Sequence, residues 1–310
     1  MEEKPEIPKS IKTSPLGAGG KTLQQGEDLG GVVSIIGIGL IGGSFALSLK
    51  RKGLASHIIG IDNNEHHRKL ALDLKLVDEV LTLNEAVAKS GLIVLAIPVD
   101  AMKKLLPAIM DQVKDTQVVM DMGSTKREVI NVISKHPMRK RFVATHPMWG
   151  TEYSGPEAAV KDAFVNKAVV ICDADNCDGN ALAFVEDIYK QIGMHLVYME
   201  SAAHDVHTAY VSHISHITSF ALANTVLEKE REDEAIFELA SAGFESTVRL
   251  AKSNPAMWVP IFKQNRENVL DVLNEHISQL RKFKSCLEKE NYVYLQELIE
   301  QANGIKRILK

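Results

Sequence analysis

Between residue 32 and about residue 199, short apolar runs alternate with longer amphipathic stretches. Apolar runs bounded by turn residues read as buried strands. Stretches with an apolar position every three or four residues read as helices. The pattern predicts strands over 32–36, 57–61, 92–97, 117–121, 141–145, 168–172 and 195–198, with a shorter one at 80–82. Helices are expected between them, among others over 41–52, 65–74, 99–114 and 126–133. This alternation is the signature of a mainly parallel, doubly wound α/β sheet. Leu92-Ile-Val-Leu-Ala-Ile-Pro98 and Val118-Val-Met-Asp-Met122 are apolar enough to be central strands, covered on both faces.

From about Ser201 the pattern changes. Strand-like alternation stops, and helix-period stretches follow over 203–229, 232–253, 257–289 and 292–309. Pro255, after Asn254, marks a break, because a proline biases the preceding residue away from the helix. Ile261, Phe262, Val269, Leu270, Val272 and Leu273 put apolar side chains on more than one helix face. An all-helical unit with such a surplus buries part of it against a twin, so a homodimer is expected. Residues 1–31 are polar, rich in Pro and Gly, and read as a flexible tail. Three parts are therefore expected: a tail over 1–31, an α/β unit over 32–200 and a helical unit over 201–310.

Composition changes this picture little. A chain of 310 residues suits two units, and 45% hydrophobic with 25% charged residues is ordinary for a globular protein. A formal net charge of −4 argues against a nucleic-acid surface. The basic run Met138-Arg-Lys-Arg141 reads as a solvated turn. Cys172, Cys177 and Cys286 form neither a metal nor a disulfide pattern, which suits a reducing cytoplasm. No apolar run reaches the roughly 20 residues of a membrane span, and the N-terminus lacks the apolar region of a signal peptide. Gly17-Ala-Gly-Gly-Lys-Thr22 resembles half a phosphate loop. Pro15 stands where its first glycine belongs, and no strand precedes it.

The chemistry begins at Ser34-Ile-Ile-Gly-Ile-Gly-Leu-Ile-Gly-Gly-Ser44. A strand feeds Gly37, Gly39 and Gly42, a G-x-G-x-x-G opening a helix. Gly37 permits the tight turn, Gly39 lets a pyrophosphate approach the backbone, and Gly42 lets the helix lie close on the strand. The phosphates then meet the helix N-terminus, at Leu40 and Ile41, where free N–H groups and the helix dipole favour an anion. Asp62 ends the second strand, twenty residues past Gly42, where a carboxylate takes ribose hydroxyls. No Arg or Lys follows in Asp62-Asn-Asn-Glu65, which favours NAD over NADP. Ile97 and Pro98, at the end of the 92–97 strand, border the same cofactor. Residues 32–200 are thus expected to form an NAD-binding Rossmann-type unit.

Two polar motifs fall beyond strand ends, where ligands lie in open α/β sheets. One is Met122-Gly-Ser-Thr-Lys126; the other is His146-Pro-Met-Trp-Gly-Thr-Glu152. An imidazole with an ordinary pKa of about 6.5 is a natural acceptor for an alcohol proton beside a nicotinamide. His146 is thus either that base or a structural histidine. Ser124 either hydrogen-bonds His146 or the alcohol, or caps the helix starting near Lys126. In Ser212-His-Ile-Ser-His-Ile-Thr-Ser219, Ser212, His216 and Ser219 share a helix face. His213 and His216 lack a third metal ligand, so a substrate-facing stripe is favoured and no metal is expected. Arg249 is either a carboxylate anchor or a surface cation near a helix end. Trp258 is either core or the apolar wall of a pocket.

These motifs together resemble the prephenate/arogenate dehydrogenase family of tyrosine biosynthesis. The glycine motif, Asp121-Met-Gly-Ser-Thr-Lys126, His146-Pro-Met-Trp-Gly-Thr-Glu152, Ser212-His-Ile-Ser-His216 and Arg249-Leu-Ala-Lys-Ser-Asn-Pro-Ala-Met-Trp258 occur in the family's order. The likeness runs from Val33 to about Leu280 and is most like prephenate dehydrogenase. It implies an oxidative decarboxylation with NAD. It makes His146 the catalytic histidine and Ser124 the serine that orients the hydroxyl and the histidine. It makes Arg249 the carboxylate anchor, with His216, Ser212 and Thr151 also facing the substrate. Trp258 matches a tryptophan that reaches in from the partner subunit. Glu152 matches a glutamate in a gating ion network with the arginine, although Ser246 stands where that network often has an Asp.

The resemblance also implies tyrosine as an active-site inhibitor. Neither a chorismate mutase nor a regulatory ACT domain is expected within this length. The alternatives are arogenate dehydrogenase, another NAD-dependent hydroxy-acid dehydrogenase, and a protein that binds NAD without turnover.

Overall fold

The computed structural model describes residues 31–230, 239 and 241–308. The expected tail, except for Gly31, and part of the helix expected over 232–253 lie outside the described residues. Eight strands form one sheet: β1 (Val32–Ile36), β2 (His57–Ile61), β3 (Glu79–Val80), β4 (Leu92–Leu95), β5 (Val118–Asp121), β6 (Phe142–Pro147), β7 (Ala168–Cys172) and β8 (His195–Met199). Their order is β3-β2-β1-β4-β5-β6-β7-β8. All neighbours are parallel except β6 and β7, where His146 lies opposite Val170. The chain leaves β1 toward β2 and returns to β4 on β1's other side. The carboxyl ends of β1 and β4 are therefore the switch point at which such sheets bind ligands.

The strands carry cores on both faces. On one face, Val33 and Ile35 of β1 pack with Phe45 and Leu49 of α1 (Leu40–Lys52) and Tyr189 of α6 (Gly179–Ile192). On the other, Ile36, Ile93 and Leu95 meet Met102, Leu106 and Ile109 of α4 (Val99–Met110). Burying side chains of this size contributes about 1.5–3 kcal/mol each. The glycine turn depends on two close approaches. Gly37 has φ 92°, and a Cβ there would run into the carbonyl of Ala96. A Cβ on Gly42 would strike the Gly37 carbonyl and come within 3.0 Å of Ile35. These contacts let α1 begin directly beyond the carboxyl end of β1.

The basic run at Met138 is not a solvated turn. Arg139 and Arg141 are buried. Arg139 Nη1 donates to the Phe142 carbonyl at 2.8 Å, and Arg141 Nε donates to the Gln117 carbonyl at 2.8 Å. The two guanidiniums satisfy backbone carbonyls beside β6.

After β8 the chain is helical: α7 (Ser201–Thr208), a π-helical turn Ala209–His213, α8 (Ile214–Glu230), α9 (Ala242–Val248), α10 (Pro255–Gln264), α11 (Arg266–Glu288) and α12 (Tyr292–Ala302). Two differences from the expected pattern matter. The helix expected over 203–229 starts at Ser201 and carries the π-helical turn. The helix expected over 257–289 breaks at Asn265. Asn265 is buried, and its Nδ2 donates to the Asp205 carbonyl at 2.6 Å. Apolar periodicity runs through that break without recording it. No helix among the described residues is long and apolar enough to cross a membrane.

Candidate active site

A cleft of about 1400 Å³ opens at the switch point, between the carboxyl ends of the strands and the helical unit. Gly37, Gly39, Leu40 and Ile41 border it at the start of α1, Asp62 at the end of β2, and Ile97 and Pro98 after β4. Ser124, His146, Thr151 and Glu152 border it from the loops beyond β5 and β6. Ser212, His216, Arg249 and Trp258 border it from the helical side. Of the cofactor residues expected from sequence, Gly42 alone is not at the cleft; it lies beneath, packed on the strand.

The dinucleotide end has the form of a phosphate cradle. A Cβ on Gly39 would meet nothing nearer than the Gly155 nitrogen at 4.0 Å, so that side of the turn is open. The first turn of α1 has no side-chain cap and no acidic residue, which leaves its N–H groups for an anion. Asp62 organises the adjoining turn: Oδ2 accepts from Ile38 N at 3.1 Å and Oδ1 from Asn64 N at 2.9 Å. A carboxylate has lone pairs left for ribose hydroxyls. Arg68 also borders the cleft, its Nη1 donating to the Asp62 carbonyl at 2.9 Å. The absence of a cation next to Asp62 in sequence did not reveal this, because one turn of α2 (Glu65–Asp73) brings Arg68 back.

The chemical centre rests on a buried post. Asp121 at the end of β5 accepts from Gly123 N at 2.9 Å and Thr145 N at 3.1 Å, and pairs with the fully buried Lys126. Lys126 Nζ also donates to the Thr145 carbonyl at 2.6 Å. The loop 122–126 and the end of β6 are thus locked together, with Ser124 on one and His146 on the other. Among the described residues no hydrogen bond joins Ser124 to His146, and Ser124 does not cap the helix α5 (Arg127–Asn131). Instead His146 Nδ1 lies 2.8 Å from His204 Nε2. His204 Nδ1 in turn lies 2.8 Å from Asp205 Oδ1. Burial holds the His146 pKa well below the ordinary imidazole value, and the neighbouring His204, Lys126 and His213 add to that.

Sequence reasoning missed His204 and Asp205. The available signal was an adjacent His and Asp at the start of the first helix after the sheet, in Ser201-Ala-Ala-His-Asp205. Asp205 accepts from Lys126 N at 2.8 Å and Arg127 N at 3.0 Å, so the helical unit caps α5 of the sheet unit.

The π-helical turn supplies Val211 and Ser212 to the helical wall of the cleft. Ser212 and His216 border it, but Ser219 is buried away from it, with no partner for its hydroxyl among the described residues. His213 is also buried, 3.1 Å from Asn265 Nδ2, and burial lowers its pKa to about 4. Trp258 stacks on His216 of the same chain, ring centroids 3.4 Å apart and planes 28° apart. Trp258 thus lines the cleft formed by its own chain. Arg249 Nη1 donates to Glu152 Oε2 at 3.0 Å. Ser246, in α9, takes no part in that pair among the described residues.

A doubly wound sheet with a phosphate cradle at its switch point, closed by a helical unit that supplies polar groups, defines a two-unit dinucleotide-dependent dehydrogenase. Within that class, the chain belongs to the prephenate dehydrogenase family. The family described as prephenate dehydrogenase, nucleotide-binding domain, matches residues 45–198, and the prephenate dehydrogenase dimerization domain matches residues 200–301. The chain is 30% identical over 262 residues to a prephenate dehydrogenase of Bacillus subtilis, covering 84% of this chain and 71% of that one. It is 29% identical over 280 residues to a cyclohexadienyl dehydrogenase of Zymomonas mobilis, covering 90% and 96%. Among solved structures it resembles prephenate dehydrogenase from A. aeolicus in complex with hydroxyphenyl propionate and NAD+, with TM-score 0.82 and 30% identity, covering 93% of this chain and 99% of that one.

Proposed function

We propose that this cleft performs the oxidative decarboxylation of prephenate to 4-hydroxyphenylpyruvate with reduction of NAD. The observation that carries the reading is the convergence on one cleft of the glycine cradle, His146 and Arg249. Gly39, Leu40 and Ile41 hold the pyrophosphate, and Asp62 holds the adenosine ribose. Ile97 and Pro98 line the path between the cradle and the reacting end. The bound nicotinamide supplies the hydride acceptor.

Prephenate carries a ring carboxylate, a C4 alcohol and a pyruvyl side chain. Hydride leaves C4, the C1–carboxylate bond breaks to release CO2, and that electron pair makes the ring aromatic. The protein's task is to position the substrate and polarise the alcohol. His146 accepts the hydroxyl proton as hydride departs and returns it to the phenol oxygen. Ser124 orients the hydroxyl. Arg249 anchors a carboxylate, and Ser212, His216 and Thr151 contact the rest of the ligand. Trp258 forms an apolar wall against the ring, and Glu152 holds Arg249 at the rim.

Rates with prephenate and with arogenate, each with NAD and NADP, test this reading. A clear preference for prephenate with NAD is expected, and a preference for arogenate overturns it. The chain divides functionally near residue 200, into a cofactor unit and a helical unit that builds a homodimer. Exposed apolar side chains such as Leu280, Val293 and Ile299 support the dimer. Sedimentation should give about twice the chain mass, and an active monomer contradicts it. Tyrosine shares the 4-hydroxyphenyl head of the product and should inhibit competitively; inhibition that leaves the substrate KM unchanged argues against this. The three thiols are free, which fits the reducing cytoplasm proposed as its location.

A further inference from the structure

We propose that His204 and Asp205 are positioning residues that fix the tautomer of His146, so that its bare Nε2 faces the cleft. The proposal rests on His146 being the base. Asp205 only accepts hydrogen bonds, and it is held in place by Lys126 N, Arg127 N and, through its carbonyl, Asn265 Nδ2. The ring nitrogen facing it, His204 Nδ1 at 2.8 Å, must therefore carry the proton. A neutral imidazole has one N–H. His204 Nε2 is then bare and can only accept. The atom facing it at 2.8 Å, His146 Nδ1, must donate. The one proton of neutral His146 is thus spent on its inner edge.

The chain of donors requires a neutral His204, and a bare Nε2 requires that His146 be neutral before it takes the substrate proton. Burial keeps both below the ordinary imidazole value, with Lys126 opposing a second positive charge at each. The groups bearing on His146 are His204 from α7, Lys126 from the loop after β5 and His213 from the π-helical turn, while Asp205 of α7 and Asp121 of β5 bear on His204. Asp205, linked through His204, is the anion that favours imidazolium once Nε2 takes the substrate proton. A histidine whose second nitrogen is held in this way has its tautomer, orientation and basicity set together.

The direct test is a long-range 1H–15N correlation spectrum of the full chain labelled with 15N-histidine, at pH 7 with NAD present. His146→Asn assigns the His146 signals. A protonated Nδ1 and a bare Nε2 on His146 are expected. A proton on Nε2, or a mixture of tautomers, overturns the proposal, and this needs no variant of His204 to fold. In His204→Leu, the signals should show mixed tautomers. Its kcat should fall about 10–100-fold, the usual cost of losing such a partner, with substrate KM unchanged. A wild-type kcat in His204→Leu, with His146→Asn inactive, removes the positioning role and leaves the base in place. A wild-type kcat in His146→Asn removes the base itself.

Discussion

Arg249 and Glu152 are joined by an ion pair, Nη1 to Oε2 3.0 Å, that ties the turn after α9 to the loop after β6. The Glu152 carboxyl is held below the usual carboxylate range, first by its own backbone N–H and then by the Arg249 guanidinium. The Arg249 side chain remains 50% exposed, so a substrate carboxylate can reach the guanidinium from the cleft.

Arg249→Ala should therefore act on binding. It removes a charge-assisted contact made in ground and transition states alike, worth about 1.5–3 kcal/mol, so substrate KM should rise roughly ten- to a hundredfold with kcat little changed. Glu152→Gln removes only a pair whose arginine is half exposed, worth about 0.2–1 kcal/mol, and should change KM less than about fivefold. Steady-state kinetics of both variants decide the matter. A larger effect from Glu152→Gln than from Arg249→Ala contradicts this division of roles.

Cofactor choice should turn on Asp62. The wild type should prefer NAD, since a carboxylate repels a 2′-phosphate. In Asp62→Ala the repulsion is gone while Arg68 stays beside the site. Efficiency with NAD should fall and efficiency with NADP should rise. Comparing kcat/KM for both cofactors tests this; an unchanged ratio contradicts it.

Lys126 should matter for stability. It is fully buried and paired with Asp121. Lys126→Met leaves a buried carboxylate without its partner, which costs about 3–5 kcal/mol. Urea denaturation of wild type and variant measures the difference, and a loss below about 1 kcal/mol shows that the pair is not essential to the loop.

Acid should weaken the fold through His213. Its pKa is lowered from 6.5 to about 4 by burial. The unfolded chain then binds the proton more readily, so stability is full above about pH 6.5 and is lost as pH falls toward 4. A shift of this size corresponds to roughly 3 kcal/mol. Denaturation midpoints at pH 7 and pH 4.5 should differ more in the wild type than in His213→Gln. An equal drop in both places the acid sensitivity elsewhere.

The glycine turn, the sheet and the cleft residues were legible because each depends on local spacing. Gly37, Asp62 and His146 sit at strand ends that apolar runs mark directly. What escaped depends on contacts between distant segments. Asp205 caps α5 across the junction, and the adjacent His204 and Asp205 in sequence do not say which distant backbone N–H groups they meet. Asn265 breaks a helix because it reaches Asp205, while the apolar period continues past it. Arg139 and Arg141 look solvated in sequence because their acceptors, the carbonyls of Phe142 and Gln117, carry no side-chain signal. Arg68 was overlooked because helical geometry, not adjacency, returns it to Asp62.

The pH dependence of kcat for wild type and His146→Asn tests most directly whether His146 is the base. The neutral imidazole is the active form, so wild-type activity should fall as pH drops through its pKa. That acidic limb should lie below the ordinary value near 6.5, because burial, His204, Lys126 and His213 all depress it. His146→Asn should lower kcat by about 10²–10⁴, the range for general base catalysis, with substrate KM little changed. It should also abolish the limb. A variant with near-normal kcat, or one that keeps the same acidic limb, would show that the base lies elsewhere.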